Sequence, residues 1–79
     1  MAKQTYDMVM SGNCDNNIRF TDFQTLITAL GFTLKGQKGS HISYYHEEIN
    51  ERMTIQNDGS KAKGYQVRQL RRIIIRYGL

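Results

Sequence analysis

The chain has 79 residues, a formal net charge of +4, and a single cysteine, Cys14. A domain of this size buries only about 60 % of the surface that its unfolded chain exposes, and one cysteine excludes an intramolecular disulfide as the staple for so thin a core. Cys14, His41 and His46 stand in no ligand spacing, which argues against structural zinc. The longest aliphatic run, Ile73 to Ile75, is far short of the roughly 20 residues that span a bilayer.

The opening "MAKQTYDMVMSGN" lacks the continuous apolar stretch of a secretory signal. With the unpaired thiol, this predicts a soluble cytoplasmic protein with no membrane partner. Residues 3–10, "KQTYDMVM", fit a short first helix ended by "SGN", and "CDNNIRF" reads as a loop with Asp15, Asn16 and Asn17 as turn formers. "TDFQTLITALGF" carries the next helix. Phe23, Leu26, Ile27 and Leu30 fall at i, i+3, i+4 and i+7, with Thr21 as the expected N-cap and Gly31 as the C′ residue.

Phe32 and Leu34 then alternate with Thr33 and Lys35, which predicts a strand, and Gly36 to Gly39 suits a hairpin loop. Along "SHISYYHE" the two-residue period puts Ile42, Tyr44 and His46 on one face and His41, Ser43 and Tyr45 on the other. "EEIN" turns the chain, and "RMTIQ" returns with Met53 and Ile55 inward. "NDGSKAKG" reads as a polar loop leading to a last helix, "YQVRQLRRIIIRYG", with Val67, Leu70, Ile74 and Tyr77 in one stripe beside Ile73. The whole predicts one α+β domain over residues 1–79. A three-stranded antiparallel meander carries the helices on one face, in the α-β-β-β-α order of double-stranded-RNA-binding domains, with an extra N-terminal helix.

Charge is uneven along the chain. Lys61, Lys63, Arg68, Arg71, Arg72 and Arg76 close it with no acid among them, Lys35 and Lys38 precede His41, and acids gather at Glu47, Glu48, Glu51 and Asp58. This distribution predicts attraction to a polyanion such as RNA. Arg68, Arg72 and Arg76, at spacing four, share one helix face that either meets phosphate or is the wet side of the helix.

His41 follows a glycine turn and faces solvent, and Lys35 and Lys38, with Lys61 and Lys63 on a later loop, project toward the same region. A neutral imidazole among cations is what removal of a ribose 2′-OH proton requires, and the lysines would stabilise the charge that builds on the phosphate. Such a reaction needs no metal, cofactor or protein nucleophile. Taken as a single residue, His41 reads more simply as an exposed strand histidine. His46 has the opposite parity. Five residues at about 3.3 Å each put the two rings well over 10 Å apart, so they form no acid–base pair. Ser40 and Ser43 lack a triad orienter, Glu47, Glu48 and Glu51 read as a solvated turn, and "GQKGS" lacks the ending of a P-loop.

"KGSHISYYH", preceded by "LGF" and followed by "GYQVRQLRRIIIRYGL", resembles the HicA toxins of bacterial type II toxin–antitoxin systems, and "SGNCDNNIRFTDFQTLITALGF" resembles the longer branch of that family. The resemblance implies an mRNA interferase that cleaves RNA without the ribosome. It implies His41 as the catalytic residue, matching the histidine of the Gly-Ser-His motif, and a HicB-like antitoxin as partner. Many relatives carry proline in the third strand. This chain has no proline and reads "MTIQND" there. A non-catalytic RNA-binding module is the alternative, in which His41 has no role and the lysines and arginines carry the binding.

Overall fold

Residues 2–79 are described by the computed structural model, and they run α1 (Ala2–Ser11), α2 (Phe20–Ala29), β1 (Thr33–Lys38), β2 (His41–His46), β3 (Glu51–Ile55), β4 (Asn57–Asp58), β5 (Lys61–Ala62) and α3 (Gly64–Tyr77). β1, β2 and β3 form an antiparallel sheet in that order, and β4 pairs with β5. The predicted α+β architecture with the extra N-terminal helix is therefore present.

The core lies between the helices and one face of the sheet. Phe23, Leu26 and Ile27 of α2, Tyr44 of β2, Met53 and Ile55 of β3, and Val67, Leu70, Ile73 and Ile74 of α3 are buried together. Along β2 and β3 the alternation is as expected: Tyr44 and His46 are buried and Ile42 is half-buried, with Met53 and Ile55 inward on the neighbouring strand. β1 differs. Every one of its residues is exposed, and Leu34, although opposite Tyr44, keeps 58 % of its surface because the helices do not reach across the outer strand.

α2 begins earlier than the sequence predicts. Arg19, not Thr21, is the N-cap, and no side chain caps it. The helix start is fixed instead by tertiary backbone pairing: Arg19 bridges to Lys61, and the Phe20 N–H donates to the Ser60 carbonyl at 2.9 Å. Thr21 sits inside the helix, where its carbonyl accepts from the Thr25 hydroxyl. The end follows expectation. Gly31, at φ +105°, donates to the Thr28 carbonyl while Phe32 donates to that of Ile27, the paired bonds of a Schellman motif.

Two further segments are more ordered than the sequence suggests. The expected loop 36–39 shrinks to Gly39–Ser40, since Gly36 and Gln37 still pair with Ser43 and Ile42, and Lys38 closes the hairpin opposite His41. A positive φ of +61° at the first turn position fits a two-residue II′ connection. "NDGSKA" forms the β4–β5 hairpin around a second Gly–Ser turn, Gly59–Ser60, also at φ +61°. The Ala62 N–H donates to the Ile18 carbonyl at 2.8 Å and seats this hairpin against the strand-like lead into α2.

α1 joins the same core through Val9, which is fully buried. Arg71 of α3 locks it down. One guanidinium nitrogen donates to the Val9 carbonyl and to Asp15 Oδ1, both at 2.8 Å, and the other reaches Asp15 Oδ2 at 3.0 Å. These hydrogen bonds hold the Asp15 carboxyl below the usual carboxylate range.

Candidate active site and nucleic-acid interface

The sheet face turned away from the helices is open, and β2 lays His41, Ser43 and Tyr45 along it. His41 is exposed at the hairpin end. Lys38 stands directly opposite it across the β1–β2 ladder, a placement that keeps both side chains on one face with Cβ atoms about 5 Å apart. In the middle, the Ser43 and Thr54 hydroxyls are 3.4 Å apart. At the far end Tyr45 is opposite Arg52, whose guanidinium carbon is 5.8 Å from the ring centroid, and the Tyr45 hydroxyl donates to Asn50 Oδ1.

The turn that presents His41 is braced from below. Gln56 Nε2 donates to the Ser40 hydroxyl at 3.0 Å, and the Gln56 backbone N–H donates to Gln66 Oε1 at 3.1 Å. Gln66 Nε2 in turn donates to the Thr54 carbonyl and the Tyr65 hydroxyl, each at 3.2 Å. Gln66 is 2 % exposed, and its amide saturates a buried site between α3 and the end of β3. Neither glutamine stands out in the sequence by chemistry. Gln66 does lie four residues before Leu70 and eight before Ile74, so the helical period already places it in the buried stripe, and a buried amide needs partners of this kind.

The four lysines expected near His41 have different surroundings in the structure. Lys38 is beside it. Lys35 is the extra residue of a β-bulge between Leu34 and Gly36, and its ammonium lies 3.9 Å from Glu47, toward the Tyr45 end of the face. Lys61, on β5, donates to Asn17 Oδ1 at 3.1 Å, and Lys63 is the half-buried N-cap of α3. Arg68, Arg72 and Arg76 are exposed along α3. Arg68 is 3.9 Å from Asp15, whereas Arg72 and Arg76 have no ion pair among the described residues.

His46 is a core residue. It is 5 % exposed, meets Phe32 edge-to-face at 5.1 Å, and lies 3.0 Å from the Leu30 carbonyl through Nε2, which must carry the proton because a carbonyl only accepts. Its Nδ1 has no hydrogen-bond partner. Among the described residues, no group of three or more His, Cys, Asp or Glu side chains is placed to hold a metal ion, and no helix is long and apolar enough to cross a membrane.

Helices stacked on one face of a three-stranded antiparallel meander, with a histidine raised on the other by a Gly–Ser turn, define an α+β protein of the double-stranded-RNA-binding-domain-like class. The family model for the HicA toxin of bacterial toxin–antitoxin systems matches residues 20–76, from the first residue of α2 to the last turn of α3. The chain belongs to the HicA toxin family. No curated protein and no solved structure matches it. α1 and the loop up to Arg19 lie outside the matched residues.

Proposed function

We propose that this toxin is an endoribonuclease, an mRNA interferase that cuts RNA in the cytoplasm without the ribosome and is held in check by a HicB-like antitoxin. His41 takes the proton from a ribose 2′-OH, and the freed oxygen attacks the adjacent phosphorus. The bond to the 5′-oxygen breaks, that oxygen takes up a proton, and the products are a 2′,3′-cyclic phosphate and a 5′-hydroxyl. Lys38 neutralises the charge that accumulates on the phosphate oxygens. Lys35, Lys61 and Lys63 bind the flanking backbone, and residues 1–79 act as one unit. RNA and the antitoxin are the partners, and no cofactor takes part.

The observation that carries this reading is the pairing of an exposed imidazole with a cross-strand ammonium at the lip of a braced turn, on a face that no helix covers. Membership of a toxin family adds the context. The test is incubation of purified protein with RNA in EDTA, wild type beside His41→Ala. The wild type should fragment RNA and leave DNA intact, and His41→Ala should be slower by at least about 100-fold, the usual range for a lost general base. Equal cleavage by both proteins, or cleavage of DNA, would overturn the mechanism. RNA binding without cleavage by either would leave a binding module.

A further inference from the structure

The far end of the open face holds a second set of groups that proton transfer at His41 does not use. Tyr45, Arg52, Asn50, Lys35 and Glu47 line an open depression of about 690 Å³. Tyr45 and Arg52 face each other across the β2–β3 ladder, and the guanidinium lies over the aromatic ring, 5.8 Å from its centroid. Both side chains are held in place or free to bind: the Tyr45 hydroxyl donates to Asn50, whose positive φ of +55° closes the turn, and Arg52 has no ion pair among the described residues. Lys35 answers the only carboxylate in the depression, that of Glu47.

We infer that this depression is a nucleobase subsite for single-stranded RNA. One base, a few nucleotides from the scissile phosphate, stacks on Tyr45 and Arg52. The inference rests on the reading of His41 as the reacting end of the same face. Three features fix the class of ligand. An aromatic ring with a guanidinium over it is a stack that a base can join, and aromatic and arginine planes are the means by which open sheets bind unpaired strands. Glu47 offsets Lys35, so the uncompensated charge of the depression is that of Arg52 alone, and it lies over the Tyr45 ring. His41, Ser43 and Tyr45 also lie in line on one strand, four residues from end to end, or about 13 Å. A duplex, whose bases are already stacked on one another, has no free base to place there. Tyr45 is thus a positioning residue. It sets the register of the strand, and so which phosphate reaches His41.

The test is binding of single-stranded RNA oligonucleotides made non-cleavable by 2′-deoxy substitution at the cut site, measured by fluorescence anisotropy. One abasic position is moved along the strand. Wild type should lose about tenfold in affinity at one position at a constant distance from the cut, the worth of one stacked base. Tyr45→Leu should lose a similar factor with the intact oligonucleotide and show no further loss at that position. Tyr45→Phe should keep both the affinity and the positional effect, and Arg52→Gln should weaken both. Tyr45 lies on the open face and not in the core, and unchanged circular dichroism of each variant checks the fold. Equal affinities for wild type and Tyr45→Leu would overturn the inference, as would an abasic effect that persists in Tyr45→Leu. So would a loss confined to binding of the antitoxin protein, which would make the depression a protein contact. Because the oligonucleotide cannot react, these outcomes are independent of whether His41→Ala abolishes cleavage.

Discussion

Gly31→Ala tests how the two histidines divide their roles. Gly31 adopts φ +105°, and a Cβ added there would lie 2.7 Å from His46 Nε2 and 3.3 Å from its Cδ2. The ring is held where it is, since it is 5 % exposed, sits edge-on to Phe32, and bonds the Leu30 carbonyl through the same nitrogen. The left-handed backbone costs alanine about 1 kcal/mol. Displacing His46 breaks its bond and strands a buried carbonyl, for about 2 kcal/mol more. The sum, roughly 3 kcal/mol, corresponds to a drop in Tm on the order of 15 °C for a domain of this size. Thermal melts of wild type, Gly31→Ala, His46→Ala and the double variant form a cycle. In the His46→Ala background the clash is gone, so adding Gly31→Ala should cost only the backbone share, about 1 kcal/mol. Additive losses, or a Gly31→Ala protein that melts within a few degrees of wild type, would refute the contact as the cause.

Other substitutions probe other joints. Asp15→Asn should cost roughly 2 kcal/mol near neutral pH by weakening the Arg71 clamp. Because the folded-state pKa of Asp15 is lowered, its contribution is fully present above the unfolded value, near 3.8, and fades as pH falls through the folded value. Urea midpoints measured down to pH 2–3 should therefore converge for wild type and Asp15→Asn, and parallel curves would disprove the coupling. Gln66→Leu should leave the Gln56 N–H and Thr54 carbonyl without their partners, at roughly 1–3 kcal/mol each. It should also slow RNA cleavage in conditions where the protein is still fully folded, because Gln56 braces Ser40 beside His41. Lys38→Ala should lower the slope of log affinity for RNA against log salt by about one counterion, where an unchanged slope would remove Lys38 from the phosphate path.

The parts of the fold that depend on period were legible in the sequence. The α2 stripe of Phe23, Leu26 and Ile27 and the alternation of Tyr44 and His46 with His41, Ser43 and Tyr45 follow from the geometry of helix and strand alone. What escaped was set by distant backbone. Arg19 caps α2 because β5 pairs with it 42 residues away in sequence, and no side chain near Thr21 carries that information. The β4–β5 hairpin escaped for a similar reason: two residues per strand have little pattern, and its support comes from Ile18. At the candidate site, parity placed His41 correctly on the open face. The lysines were less readable, because a one-residue bulge at Lys35 redirects the strand that carries two of them. Gln56 and Gln66 were hidden by their neutrality. They are ordinary polar residues until the turn they support is seen.

The same bulge bears on how the molecule behaves in company. β1 is one of the two outer strands of its sheet, exposed along its whole length, and a flat outer strand is a template for joining another copy edge to edge. The extra residue at Lys35 breaks the regular spacing of that border, and Lys35 and Lys38 place lysines on it, a feature that discourages edge-to-edge pairing. Straightening the strand by deleting Lys35 would remove one of those charges and the kink together, and should raise self-association on size-exclusion chromatography.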